Sequence, residues 1–369
     1  MARKVRNLEG GSLVMGELAQ GCRLCSMGSK MVLFVTGLCD SSCFYCPLSS
    51  EKRGKDLVFA NEMPVHSIDD ILFEADAIDA EGVGISGGDP LCVLERTIEY
   101  IHLLKTTYGD SFHIHLYTSH TDVDESVLRQ LKAAGLDEIR FHPQSSDWSG
   151  IKAAIRLNIS TGIEIPVLPG SYDSLQSLLI LADRLGLDFV NLNELEASET
   201  NFQRLTRRGL QLTDLGSSSI AESKTDAIKL VWWGAENLQN VSLHFCSAAF
   251  KDSIQMRNRL YRRLKNTIRE FEEQDEDEPL VVLGVVRRPH GQSLSSEEID
   301  KIMSLLHDHF EVPIELMNAD MDRKRVEIAP WILEEISTEL QSLLAISLEI
   351  GLAYEYPTWD RLQVLFEPL

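Results

Sequence analysis

The chain has 369 residues, 44% of them hydrophobic, enough to bury one large core or two domains. Its 57 acidic residues against 35 basic ones give a net charge of -22, which opposes nonspecific binding to nucleic acid and to anionic lipid. No run of about twenty uncharged apolar residues is present to span a bilayer, and the basic start of the chain has no apolar segment behind it, so neither a membrane span nor a secretory signal is expected and the expected location is the cytoplasm.

Seven cysteines, at least three of them in a metal-binding pattern, fit a reducing compartment rather than a disulfide scaffold. The amino-terminal segment, residues 1–30, carries Cys22 and Cys25, a CxxC pair of the kind that donates half of a tetrahedral metal site. An apolar run over 31–36 predicts a strand, which delivers Cys39-Asp-Ser-Ser-Cys43-Phe-Tyr-Cys46-Pro47. Thiols spaced CxxxCxxC on a loop that leaves a buried strand can fold around one inorganic cluster and leave part of it open. Zinc sites usually assemble two ligand pairs, and ferredoxin-like runs place their cysteines at CxxCxxC, so neither gives this spacing.

Ile68, Ile71, Leu72, Ala75 and Ile78 then share one face of a predicted helix behind the cap Ser67. A strand over 82–86 delivers Gly87-Gly88-Asp89-Pro90, where glycines without Cβ let the backbone come close to a ligand and the carboxylate can accept hydrogen bonds from an ammonium group. Cys92, among apolar neighbours, reads as a small core residue. Helical spacing at Leu94, Ile98, Ile101 and Leu104 closes at Gly109. Strands over 112–118, 137–141, 162–167 and 188–193 follow, separated by helical runs that include two ending at Gly135 and Gly186. Such alternation implies right-handed βαβ units and a parallel sheet. Polar residues at the strand ends would then line the active site. The candidates are Tyr117, Thr118 and Ser119; Arg140 and His142; Glu164; and Asn191, Asn193, Glu194 and Glu196, a polar run where a buried strand should be apolar. His113 and His115 alternate with apolar residues and read as packed rather than catalytic.

A helix is expected over 217–236, ending in Trp232 and Trp233. His244 and Cys246 fall two residues apart on one face of a strand, so they could complete a site with Cys22 and Cys25, suited both to structural zinc and to an auxiliary iron-sulfur cluster. Residues 251–265 form a helical segment dense in positive charge. Pairing with carboxylates of the same chain is the plainer reading, and this is the segment through which nucleic acid, a phosphate or an acidic partner protein could dock. The acidic stretch 270–279 reads as a linker. Beyond it, 280–369 reads as a small α+β domain with strands at 280–287, 313–317, 324–328 and 347–355, helices near 295–309 and 330–343, and no cysteine.

These motifs resemble the radical S-adenosylmethionine (SAM) superfamily, and within it a mainly archaeal family related to pyruvate formate-lyase activating enzyme. The likeness is carried by Cys22-Arg-Leu-Cys25, Val35-Thr-Gly-Leu-Cys39 with the cysteine loop, Ser86-Gly-Gly-Asp-Pro90, His115-Leu-Tyr-Thr118, Gly135-Leu-Asp-Glu-Ile-Arg-Phe-His-Pro143, Asn191-Leu-Asn-Glu-Leu-Glu196 and His244-Phe-Cys-Ser247. It covers roughly residues 20–265. The resemblance implies an α/β fold, a partial (β/α)6 barrel of radical SAM type within residues 31–270, followed by the small α+β domain. It implies that Cys39, Cys43 and Cys46 hold three irons of a [4Fe-4S] cluster whose fourth iron chelates SAM, and that an electron from a donor such as ferredoxin or flavodoxin cleaves SAM to a 5'-deoxyadenosyl radical. Tyr45 is then expected near the adenine and Gly87, Gly88 and Asp89 at the SAM amino group. Arg140 and His142 are expected at its carboxylate or ribose, and Asn191, Asn193 and Glu194 at SAM or substrate. Two activities are compatible with this reading: hydrogen abstraction from a small or macromolecular substrate, or installation of a glycyl radical on a partner enzyme. Activating enzymes proper tend to be shorter and to lack the tail domain.

Overall fold

Alternation of apolar and polar residues along seven segments gives a mostly parallel sheet whose two faces differ in chemistry. The computed structural model describes residues 2–344 and 346–369, in two units, Met1–Arg259 and Leu260–Leu369. Strands of the first unit are β1 (Val5–Asn7), β2 (Leu13–Met15), β3 (Lys30–Phe34), β4 (Phe59–Ala60), β5 (Met63–Pro64), β6 (Gly82–Ser86), β7 (His113–Thr118), β8 (Glu138–Phe141), β9 (Ser160–Val167), β10 (Phe189–Glu194) and β11 (Ser242–Cys246). They pair in the order β1-β2-β11-β10-β9-β8-β7-β6-β3-β4-β5. β3 and β6 to β11 run parallel. The helices are α1 (Gln20–Ser26), α2 (Ile68–Ala77), α3 (Leu94–Tyr108), α4 (Glu125–Ala134), α5 (Ser149–Arg156), α6 (Tyr172–Leu185), α7 (Phe202–Thr206), α8 (Ser223–Asn237), α9 (Ala248–Phe250) and α10 (Arg257–Thr267).

This is the expected α/β class and partial (β/α)6 barrel, with a seventh parallel strand, β11, added to the six anticipated. Local sequence sets the helix ends. Ser67 and Asp70 form a reciprocal capping box at the start of α2; Gly135 (φ 115°) and Gly186 (φ 77°) close α4 and α6 in the left-handed conformation that a Cβ disfavours. Helix α5 was not anticipated: it spans only eight residues and starts Ser-Gly. Helix α8 starts at Ser223, later than the expected 217.

Along the central strands Val83, Ile85, Ile114, Leu116, Ile139, Phe141, Ile163, Ile165, Val190, Leu192, Leu243 and Phe245 are all buried and pack with the helices in one apolar cluster. Burying each such side chain stabilises the fold by roughly 1.5–3 kcal/mol. The alternate residues, His115, Tyr117, Glu138, Arg140, Glu164, Asn191 and His244, turn to the inside of the curved sheet, since successive side chains point to opposite faces. The interior is therefore polar. α1 packs against β3, β6 and β7, so close that a Cβ on Gly21 would stand 2.6 Å from both Arg140 Nη2 and the His115 ring. The amino-terminal segment is thus part of this unit: β1 and β2 extend the sheet beyond β11.

The second unit holds β12 (Glu273–Gln274), β13 (Val281–Arg287), α11 (Ser296–Asp308), β14 (Met317–Asp320), β15 (Arg325–Ile328), α12 (Pro330–Leu343), β16 (Glu349–Glu355) and β17 (Gln363–Pro368). Its antiparallel sheet runs β14-β15-β13-β16-β17, with β12 on β13. The acidic stretch 270–279 supplies β12, and the division into compact units falls before it, inside α10 at 259/260. Runs of Glu and Asp resemble linker sequence, yet here Glu272 is buried against Arg269.

Candidate active site

The cysteine loop leaves β3 at the carboxyl end of the parallel strands, where the following chain must turn back over the sheet. There a cavity of about 690 Å³ is lined by Cys39, Cys43, Tyr45, Cys46, Gly87, Gly88, Thr118, Ser119, Arg140, His142, Glu164, Asn193, Glu194 and Glu196, among others. Cys39 is exposed, and Cys43 and Cys46 are half-buried; none is in a disulfide. Burial pushes the Cys39 and Cys43 thiols up, and a hydrogen bond from Ser41 N to Cys39 Sγ (3.4 Å) opposes that shift at Cys39.

Groups far off in sequence hold the loop. Arg204 on α7 donates to the carbonyls of Cys43 (3.3 Å) and Cys46 (3.2 Å), and Asn201 Nδ2 donates to that of Tyr45 (2.9 Å). The Tyr45 hydroxyl meets His142 Nε2 at 2.8 Å. His142 Nδ1 lies 2.8 Å from the Glu164 carbonyl, which only accepts, so Nδ1 carries the proton and Nε2 accepts from Tyr45. Burial lowers the His142 pKa and keeps it in that neutral form. Arg204 and Asn201 had no motif to mark them; only the fold reveals them.

The glycines have a reason beyond ligand approach. A Cβ on Gly87 would stand 2.4 Å from the Thr36 carbonyl oxygen, and one on Gly88 2.2 Å from that of Leu38, so the turn is pressed against the root of the cysteine loop. Gly88 N and Asp89 N donate to those same carbonyls. Asp89 departs from expectation. It is 1% exposed and turned away from the cavity. Its carboxylate accepts from Leu91 N (3.1 Å), Ser119 N and Oγ (both 2.8 Å) and Thr118 Oγ1 (3.0 Å), joining the ends of β6 and β7. These bonds make the carboxylate part of the framework of the turn.

At the wall of the cavity Arg140 is 2% exposed between Glu138 (2.5 Å) and Glu164 (2.8 Å). Burial alone would raise the Glu164 pKa; the Arg140 guanidinium and the Asn191 and Asn193 amides, at 3.0 and 3.1 Å, hold it at about 2 instead. Arg140 and Glu164 are therefore both charged, with Arg140 shared between Glu138 and Glu164. Asn191, two residues nearer the strand's start than Asn193 and hence about 6.6 Å lower, does not reach the upper cavity. It faces a second, smaller one and donates to Cys22 Sγ (3.3 Å). Glu194 accepts from Ala248 N (2.9 Å), and Glu196 pairs with Lys251.

The smaller cavity, about 70 Å³, is lined by Cys22, Cys25, Lys30, Asn191, His244 and Cys246, among others. The fold thus brings together the four residues expected to form a second site. Burial raises the Cys22 pKa to about 11 and lowers that of His244 to about 4. Cys92, expected in the core, is half-buried within 4.8 Å of ligand atoms of Asp40 and His120. Of the basic segment 251–265, Lys251 pairs with Glu196 and Arg259 with Glu62 (3.0 Å), as the plainer reading of that stripe required.

A polar-lined barrel with a three-cysteine loop over its mouth defines a class, and comparison agrees: residues 33–161 match the family model described as Radical SAM superfamily. The chain belongs to this superfamily, and is an enzyme working with a [4Fe-4S] cluster and SAM. More narrowly, it belongs with a Methanocaldococcus jannaschii protein named "Putative glycyl-radical enzyme activating enzyme", to which it is 35% identical over 366 residues, covering 96% of this chain and 93% of that one. Residues 280–369 match a domain of unknown function. Among solved structures, the chain is similar to Streptococcus suis SuiB bound to SAM (14% identity, TM-score 0.41, 62% of this chain and 54% of that chain). It is also similar to Escherichia coli coproporphyrinogen III oxidase (13% identity, TM-score 0.33, 89% and 94%). No helix among the described residues is long and apolar enough to cross a membrane.

Proposed function

We propose that Cys39, Cys43 and Cys46 hold the cluster and that the upper cavity binds SAM together with the group that loses a hydrogen atom. The observation that carries this reading is that the three thiols and the Gly87-Gly88 turn line one cavity at the carboxyl ends of the strands. When bound, the cluster and SAM supply a 5'-deoxyadenosyl radical after one-electron reduction. The chain's own residues then have distinct tasks. The thiols give up their protons to become ligands. Tyr45, fixed by His142, offers its ring as a wall beside the loop, while the backbone of Gly87 and Gly88 meets the cofactor's polar end. Arg140, Asn193 and Glu194 present charge and amide groups to whatever lies across the cavity. A reductant of low potential, such as ferredoxin or flavodoxin, completes the system.

The test is SAM cleavage by anaerobically reconstituted protein. Reduced protein should convert SAM to 5'-deoxyadenosine, and Cys43→Ala should abolish the conversion; an unchanged rate in that variant sinks the assignment. A second reading, a protein substrate that receives a glycyl radical, is supported by the name of the 35%-identical relative. Deuterium transfer into 5'-deoxyadenosine from a glycine-labelled partner protein separates it from transfer out of a small molecule.

A further inference from the structure

We infer that Cys22, Cys25 and Cys246, with His244, hold a second iron-sulfur cluster in the interior of the barrel, beneath the upper cavity. Cys22 and Cys25 stand at i and i+3 on α1 and so share a helix face. His244 and Cys246 stand at i and i+2 on β11 and so share a strand face. The packing turns both faces toward one cavity.

The site is built and its polar atoms are unsatisfied. Cys22 is 8% and His244 5% exposed, and His244 Nδ1 is buried without a hydrogen-bond partner. Leaving such a group unpaired costs about 1–3 kcal/mol. Lys30 and Arg140 line the same cavity, and Asn191 Nδ2 donates to Cys22 Sγ. Glu164 and Lys251 line it as well, so the lining carries charges of both signs around the four ligands.

Ligand spacing chooses between zinc and a cluster. Four ligands around one zinc ion, with Zn–S about 2.3 Å, stand about 3.8 Å apart. Among the described residues, no three ligand atoms of this set lie within 4.8 Å of one another. The same holds for Cys39, Cys43 and Cys46, the set read above as the ligands of the first cluster. The volume agrees: about 70 Å³ holds several water-sized bodies, where one needs about 15 Å³.

The experiment removes the upper set and counts what stays. Full-length protein carrying Cys39→Ala, Cys43→Ala and Cys46→Ala, reconstituted anaerobically with iron and sulfide, should keep iron and acid-labile sulfide in equal amounts, roughly two to four of each per chain. No metal, or one zinc without sulfide, overturns the inference. Adding Cys22→Ser and Cys246→Ser should empty the chain of iron while its far-ultraviolet circular dichroism persists; iron retained by that variant equally overturns it. Because neither count depends on SAM, failure here leaves the reading of the upper cavity standing, and failure of SAM cleavage leaves this one standing.

Discussion

Asp89 is a carboxylate that does its work facing away from the cavity. Four donors converge on it, and hydrogen bonds to a charged acceptor each contribute about 1.5–3 kcal/mol. Asp89→Asn keeps the volume but turns one acceptor into a donor facing donors. It should lower unfolding free energy by about 2–3 kcal/mol in urea titration, and a loss below about half a kcal/mol would show that the four bonds are dispensable. The residue type at position 89 was legible as part of a motif; its orientation was not, because the donors from Thr118 and Ser119 arrive only once β7 lies beside β6. Asn191 shows the same limit. The polar run 191–196 stood out against an apolar expectation, but which amide reaches which cavity depends on the height of each residue along β10.

At the level of elements, the cysteine loop has no regular structure of its own and is held by α7. Arg204→Ala removes both bonds to the carbonyls of Cys43 and Cys46. Outer groups of this kind are worth about 10–100-fold in metal affinity, so the variant should lose iron to a chelator at least about tenfold faster than the parent, followed by the decay of the cluster's visible absorption. An equal rate would mean that the loop holds itself. The parallel strands were readable because their outward faces repeat Ile, Val and Leu every second residue. By contrast β1 and β2, three residues each, are too short to show a period, and α7, five residues long, likewise carries no pattern.

On the scale of the whole molecule, the second unit carries a buried ionic network that the composition of a small α+β domain gives no hint of. Glu327, 1% exposed, accepts from Arg269 and Arg325, each at 2.6 Å. Burial would raise its pKa from the ordinary 4.5, but the two guanidiniums hold it at about 2. A folded-state value below the unfolded one stabilises fully above pH ~4.5 and fades as pH falls toward 2. Holding that carboxyl at about 2 instead of the ordinary 4.5 corresponds to about 3 kcal/mol. Glu327→Gln should therefore cost about that much at pH 7, and the gap between parent and variant should narrow steadily below pH ~4.5 in denaturant melts; a gap independent of pH would assign the loss to packing.

Finally, Cys39, Cys43 and Cys46 lie within eight consecutive residues, so their proximity is set by local sequence. Cys22 and Cys246 become neighbours only when β11 closes between β2 and β10, after most of the first unit has been synthesised. On the proposal above, the lower set can therefore assemble only after β11 has been made, whereas the upper set needs no residue beyond its own loop to bring its three thiols together.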